Sequence, residues 1–190
     1  AICDFPQASA LPVVSARGQV SLLPAARGSA PRVVVCRGGY VSPEIDGVRC
    51  AGASFDVDDD ETALRQADHV GNLARLDAML PGFTSALPSL EMRGRVGFRP
   101  ASPDRLPMVG AVPLPTRIER STPLASIARH PGLYAASGYG ARGLVWAALM
   151  AEMLASRLEG EPAPLEQDLV DALDPARYLL RPAAGVRREQ

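Results

Sequence analysis

Residues 138–143, GYGARG, fit the spacing G-x-G-x-x-G and stand between the short apolar run LYAAS (133–137) and an apolar stretch from about residue 142 to 158. Glycines so spaced between a strand and a helix let backbone N–H groups at the helix N-terminus approach a phosphate-bearing ligand. A self-contained dinucleotide unit also needs a second parallel strand after the helix, ending in an acidic residue. Here the helix gives way to Gly160 and then EPAPLEQDL, proline-rich and acidic, with no apolar strand. The motif does not complete a βαβ unit by itself. Two readings stay open: a tight strand-to-helix turn whose glycines serve close packing, or a secondary contact to a cofactor whose main binding unit lies elsewhere.

The upstream residues read as antiparallel sheet. β-Branched runs at 18–23 (GQVSLL) and 33–36 (VVVC) flank a turn-rich segment, and the pairs Gly38-Gly39 and Asp46-Gly47 are hairpin signals leading into YVSP and VRCAGASF. Asp58, Asp59 and Asp60 offer an N-cap and acidic first turn for one amphipathic helix over about 60–79. Its sheet-facing stripe is expected to be Leu64, Ala67, Val70, Leu73 and Ala74. Residues 89–99 alternate, with Leu90, Met92, Val96 and Phe98 on one face and Glu91, Arg93, Arg95 and Arg99 on the other, the period of a strand with one buried face. Residues 100–115 hold five prolines and read as extended loop. The helix over 142–158 is apolar almost all round in its first three turns and is expected to be buried, and GVRREQ at the end reads as a frayed tail.

The expected fold class is therefore α+β. Residues 12–100 form a mostly antiparallel sheet domain with one helix. Residues 101–190 supply a loop, a lone strand and a helix belonging to an incomplete second domain, and residues 1–11 read as a truncated connection. With 47% hydrophobic and 22% charged residues the chain has the composition of a folded globular protein, and its formal net charge of -1 argues against polyanion binding by the chain as a whole. Cys3, Cys36 and Cys50 have neither C-x-x-C spacing nor accompanying histidines, so no metal site is expected and the thiols read as reduced and buried. No apolar run approaches the ~20 residues of a membrane span, which makes a cytoplasmic protein without membrane contact the expectation.

GFRPASPDRLPMVG (97–110) followed by GLYAASGYGARGL (132–144) resembles the C-terminal half of the glycine oxidase and D-amino-acid oxidase family of FAD enzymes. More narrowly, LPVVSARGQVS, GGYVSP, GAS, RPASPDRLPMVGAVP, GARGL, ALMAEMLAS, EPAPL and LDPARYLLR are similar, in order, to the FAD-dependent region of bifunctional enzymes that modify the tRNA wobble uridine. The resemblance runs from about Leu11 to Arg181; one departure is the alanine before Arg142, where a serine is more usual.

It implies a D-amino-acid-oxidase-like fold and removal of the carboxymethyl group from 5-carboxymethylaminomethyl-uridine, with tRNA as partner and no activity expected of this chain alone; the alternatives are a glycine or D-amino-acid oxidase-like flavoenzyme acting on a free amino acid, and a non-catalytic binding module. It also implies that FAD is held in the full-length protein rather than by this chain alone. An N-terminal FAD-binding domain and a methyltransferase domain using S-adenosylmethionine would be missing partners of this chain. Surfaces made to meet them would be exposed beside the 142–158 helix, with self-association as a consequence.

Site assignments follow from the resemblance. Arg99, in the G-x-R-P context, takes the place of the carboxylate-binding arginine, for which a planar guanidinium fork is suited; its alternative is a structural ion pair. Gly138, Tyr139, Gly140, Ala141, Arg142, Gly143 and Leu144 take the place of the flavin-facing turn, and Arg142 faces flavin or substrate unless it serves a loop-to-helix ion pair. Arg17 follows the family pattern or only braces the sheet, and Asp104 and Pro107 shape their loop. His69 and His130, the latter on an expected surface loop, have no partner at ligand spacing and read as packing or solvated residues. No catalytic side chain is assigned, which suits an enzyme whose cofactor carries the chemistry. Arg93, Arg95, Arg99 and Arg105, with Arg117, Arg120 and Arg129, are either phosphate contacts to tRNA or a solvated face.

Overall fold

The computed structural model describes residues 2–24, 31–86, 92–116 and 118–180. Two compact units are present: Ser15–Phe98, and the residues up to Val14 together with those from Arg99 onward. Leu90, Glu91, Arg117 and the tail GVRREQ lie outside the described residues.

The first unit is built on β1 (Val14–Pro24), an eleven-residue strand. Further strands are β2 (Val35–Cys36), β3 (Tyr40–Val41), β4 (Val48–Gly52) and β5 (Asp56–Val57). The helix α1 (Gln66–Met79) follows, then β6 (Arg93–Ala101), which continues into the second unit. The sheet order is β2-β3-β4-β1-β5, with β6 also on β1. β1 and β4 run antiparallel in the register Val20↔Gly52 to Pro24↔Val48. The hairpin signals hold: Gly38, Asp46 and Gly47 have φ of 63°, 52° and 78°, the left-handed backbone that tight hairpin turns demand. Val33 and Val34, expected in a strand, instead precede β2 and are exposed.

β1 determines how α1 lies. Its alternate residues Arg17, Gln19 and Ser21 are fully buried and polar, and they must be satisfied by the helix that covers them. Arg17 donates to Asp68 Oδ2 (2.6 Å) and to the carbonyls of Glu61 (2.6 Å) and Ala63 (2.7 Å). Ser21 Oγ and His69 Nδ1 are 2.8 Å apart, and Asn72 Nδ2 donates to Gln19 O (3.0 Å) and Ser21 Oγ (3.2 Å). Only at the far end is the interface apolar, where Leu23, Val41, Ala51 and Leu76 form the core. The buried stripe of α1 is therefore His69, Asn72 and Leu76, and the expected stripe is turned outward: Leu64 and Val70 are 47% and 57% exposed, Ala67 and Ala74 are exposed, and Leu73 alone is half-buried.

The start of α1 is also set from across the sheet. Gln19 accepts from Arg65 N (2.8 Å) and donates to Arg65 O (2.8 Å), so the side chain of a β1 residue does the work of a cap. The acidic run does not cap the helix; Asp59 pairs with Arg65 and accepts from Glu61 N in the loop before it.

The second unit holds a hairpin of β7 (Met108–Pro113) and β8 (Arg129–Ser137), paired from Met108↔Ser137 to Pro113↔Arg129 with one irregularity. It is completed by α2 (Gly143–Glu159), α3 (Gln167–Leu173) and α4 (Arg177–Leu180). β7 corrects the expectation of a loop over 100–115. Its first five residues, MVGAV, precede the proline that ends it, and the strand is buried throughout because Val112 and Ala135 pack with Ala8 and Leu11 while Val109 packs with Met150, Met153 and Leu173. β8 is correspondingly longer than LYAAS and includes the half-buried His130.

α2 ends at Gly160, φ 72°, as expected. It is not buried all round. Met150, Met153 and Ser156 are buried and Trp146 and Leu149 partly so, whereas Leu144 and Val145 are 99% and 78% exposed and Ala147, Ala148, Ala151 and Ala155 continue an open apolar face. Among the described residues no helix is long and apolar enough to cross a membrane.

Candidate functional site

The glycine turn joins β8 to α2. Gly138 (φ 76°) and Gly140 (φ 54°) adopt left-handed backbone, and a 3-10 turn at Gly140–Arg142 leads directly into the helix. The two glycines have different surroundings. A Cβ on Gly138 would lie 3.3 Å from both Met108 Cε and Ser102 Cβ, whereas one on Gly140 would meet nothing within 4 Å among the described residues. Gly138 thus serves packing inside the unit, and Gly140 leaves its open side toward the outside. The aligned peptide dipoles of a helix make its N-terminus positive, so this end of α2 is a region of positive potential.

Ala101 of β6 forms an isolated β-bridge with Tyr139. Residues i and i+2 of a strand share a face about 6.6 Å apart, so Arg99 stands one pleat from the turn. The sequence separates Arg99 and Gly140 by a forty-residue stretch, and the bridge brings their elements together. Arg99 is half-buried. Arg142 and Ala141 are exposed; Arg142 Nη2 donates to the carbonyl of Arg105 at 2.9 Å, so it ties the turn to the preceding loop rather than forming a loop-to-helix ion pair. Tyr139 and Gly143 are half-buried, and Leu144 is fully in the open. Burial pushes the Tyr139 hydroxyl up from its ordinary value, so it is a neutral donor at neutral pH.

Ser102–Pro107 forms a tight loop under the turn. Asp104 is its hub: Arg177 donates from Nε to Oδ2 and from Nη2 to Oδ1, each at 3.0 Å, and Tyr178 OH donates to Oδ1 at 2.5 Å. Burial alone would raise the Asp104 carboxyl, but the hydrogen bonds from Arg177 and Tyr178 outweigh it and hold the group well below the usual carboxylate range. Asp104 shapes its loop, as the sequence suggested; its partners Arg177 and Tyr178, 73 and 74 residues away, had no sequence signal beyond their place in LDPARYLLR.

The remaining candidates separate. Arg17 is a fully buried brace between β1 and the residues around α1. His69 is buried against Ser21, and burial lowers its pKa, which suits a packing role. Arg129 is withdrawn from phosphate binding: all its donors are used, by Asp174 (2.6 and 3.1 Å) and by the carbonyls of Ala111, Leu124 and Ile127. Arg93, Arg95, Arg105 and Arg120 are exposed. On β6, Gly94 turns toward α1, since a Cβ there would lie 2.8 Å from His69 Cε1, so Arg93 and Arg95 occupy the opposite face. Phe98, expected on the core side, is 42% exposed, because the alternation of burial slips at Val96 and Gly97, both half-buried. All three cysteines are free thiols, and none is buried as expected: Cys3 and Cys50 are half-buried and Cys36 is exposed. Among the described residues no group of three or more His, Cys, Asp or Glu is placed to hold a metal.

Comparison with known proteins gives the family and the fold. The family model "FAD dependent oxidoreductase" matches residues 3–157. The tRNA 5-methylaminomethyl-2-thiouridine biosynthesis bifunctional protein MnmC of Azoarcus sp. (strain BH72) is 69% identical over 188 residues, covering 99% of this chain. This chain spans only 30% of that relative's length and 29% of its counterpart from Aromatoleum aromaticum. Among solved structures, iminodiacetate oxidase from Chelativorans sp. BNC1 is similar with a TM-score of 0.64 and 25% identity, over 86% of this chain and 40% of the other. Glycine oxidase from Bacillus cereus ATCC 14579 has a TM-score of 0.63 and 20% identity, over 91% and 40%, a likeness of fold.

Proposed function

The chain belongs to the FAD-dependent oxidoreductase family, and we propose that it is the substrate-binding and flavin-closing part of a bifunctional tRNA-modifying enzyme. The reaction is removal of the carboxymethyl group from 5-carboxymethylaminomethyl-uridine at the wobble position. The observation that carries the reading is the bridge between Ala101 and Tyr139, which sets the end of the Arg99 strand beside the glycine turn.

The residues fit a flavin at the turn. Among the described residues nothing lies within 4 Å of a Cβ on Gly140, so that side of the turn is open. Gly138, Tyr139, Gly140, Ala141, Arg142, Gly143 and Leu144 would hold the cofactor, with the α2 N-terminus turned to its negative charge when reduced. The chemistry FAD would supply there is two-electron oxidation of the CH–NH unit, a hydride leaving the carboxymethyl carbon next to nitrogen and a proton leaving the nitrogen. Hydrolysis of the resulting substrate imine releases glyoxylate and leaves the aminomethyl nucleoside. Arg99 grips the carboxylate of the carboxymethyl group and orients the carbon to be oxidised. The likeness to an iminodiacetate oxidase supports this substrate class, because iminodiacetate also carries a carboxymethyl group on a secondary amine.

The part of the longer relatives that this chain does not span is assigned the dinucleotide-binding unit and a methyltransferase domain using S-adenosylmethionine. The open face of α2, with Leu144 and Val145, is the surface those residues would cover, and self-association is its consequence when they are absent. On this reading the chain alone binds FAD weakly or not at all, since the pyrophosphate has no βαβ unit to receive it. The rival reading, a flavoenzyme acting on a free amino acid, differs in substrate. Full-length protein is therefore supplied with tRNA bearing the carboxymethylaminomethyl group, or with glycine and D-amino acids. Release of glyoxylate from the tRNA, with the nucleoside losing its carboxymethyl mass, is expected; turnover of the free amino acids alone would overturn the assignment.

A further inference from the structure

The C-terminal motif LDPARYLLR lies outside the turn and the Arg99 strand, yet it contributes some of the most heavily bonded side chains of its unit. Arg177 is buried and makes two hydrogen bonds to Asp104, one to Leu106 O (3.0 Å), one to Asp174 O (3.2 Å) and one to Tyr178 OH (2.8 Å). Tyr178 stacks under its own neighbour's guanidinium, 4.3 Å from ring centroid to Arg177 Cζ, while its hydroxyl donates to Asp104. Such planar, charge-assisted pairs fix geometry as well as supply energy.

What they fix is the loop from Ser102 to Pro107. Asp104 Oδ1 also accepts from Leu106 N (3.1 Å), Ser102 Oγ donates to Leu106 O (2.6 Å), and Arg105 N donates to Ser102 O (3.1 Å). Closing this loop holds Arg105 at φ 62°, a left-handed conformation that a non-glycine residue adopts only when its surroundings impose it. Arg105 in that conformation accepts from Arg142 Nη2, and Ser102 Cβ packs 3.3 Å from where a Cβ on Gly138 would lie. The loop therefore touches the glycine turn at both ends.

We propose that Asp104, Arg177 and Tyr178 form a positioning clamp that sets the conformation of the turn at 138–143 and so pre-organises it for flavin. The proposal rests on the flavin reading above. The three act on the turn through the backbone of Arg105 and the side chain of Ser102. A residue that only holds the fold together gives a different result. Asp174 supplies the comparison, because it anchors the same C-terminal segment through a bidentate pair with Arg129, at 2.6 and 3.1 Å.

The test uses the full-length flavin-loaded protein with Asp104→Asn, the milder Tyr178→Phe, and Asp174→Asn as control. Hydrogen exchange is followed in peptides covering 138–143, together with FAD affinity and the flavin absorption spectrum. Asp104→Asn and Tyr178→Phe are expected to speed exchange in the turn by about tenfold, an opening effect confined to a local unit. They are also expected to weaken FAD binding and shift the spectrum, whereas Asp174→Asn lowers Tm and leaves turn and spectrum as they were. Unchanged exchange at 138–143 in Tyr178→Phe and Asp104→Asn overturns the clamp while leaving the flavin reading standing. Equal effects from all three variants overturn it as well, reducing it to general fold support. A wild-type full-length protein that binds no FAD overturns both readings.

Discussion

Replacing Gly140 by leucine distinguishes a glycine that faces a cofactor from one that serves its own chain. Among the described residues no atom lies within 4 Å of a Cβ at Gly140, so the cost at the backbone is that of holding an L residue at φ 54°. That strain is about 1–2 kcal/mol, and for a domain of this size each kcal/mol lowers Tm by about 2–4 °C, so a fall of roughly 2–8 °C is expected. Gly138→Leu carries the same backbone strain at φ 76° plus contacts at 3.3 Å with Met108 and Ser102, which adds about 1–3 kcal/mol of overpacking. The flavin reading reverses the order of the two for cofactor binding. Gly140→Leu places an isobutyl group on the open side assigned to flavin, and its FAD affinity should fall by well over tenfold, more than about 1.4 kcal/mol. Both full-length variants are purified, bound FAD per protein is measured from the released flavin, and Tm is recorded with and without added FAD. If Gly140→Leu keeps stoichiometric flavin at unchanged affinity, the open side of the turn does not face the cofactor and the reasoning fails.

Gly94→Ala would put a methyl group 2.5 Å from the carbonyl oxygen of Val20 and 2.8 Å from His69 Cε1, with backbone that cannot step aside; a loss of about 3 kcal/mol in urea unfolding is expected, and an unmoved midpoint would refute the packing of β6 on β1. Burial lowers the His69 pKa, so the unfolded chain takes up the proton first as pH falls. Stability is then full above the unfolded value of about 6.5 and declines below it, by at most about 1.4 kcal/mol per pH unit, until the folded value is reached. His69→Gln should remove this part of the slope, as urea midpoints across that range would register; an unchanged slope counts against a buried neutral His69. Arg99→Ala should leave bound flavin in place and weaken capture of the carboxymethyl group by about 2–5 kcal/mol, read as a raised KM for modified tRNA; loss of flavin with unchanged KM would remove Arg99 from the substrate side.

Several features were legible locally because they are constraints on the backbone of a few adjacent residues. Gly38, Asp46-Gly47 and Gly160 mark turns and a helix end because glycine, or aspartate beside it, tolerates left-handed φ, and all adopt it. The alternation around Arg93–Arg99 placed β6 for the same kind of reason, since successive side chains of a strand must point to opposite faces. What the sequence left undetermined was which partner each face would meet. α1 turned Val70 to the outside because β1 buries Arg17, Gln19 and Ser21, and satisfying those groups outweighs burying a second-best apolar stripe; Leu64, expected in that stripe, precedes the helix.

β7 had no alternation to announce it because it is packed on both faces, and its five-proline surroundings concealed it. The clamp joins Asp104 to Arg177 and Tyr178 across more than seventy residues, and Arg129 is claimed by Asp174 across 45. A charged residue reads the same in sequence whether it meets solvent, phosphate or a carboxylate. Its role is decided when folding brings a particular partner within hydrogen-bond reach and excludes the water that would otherwise compete for it.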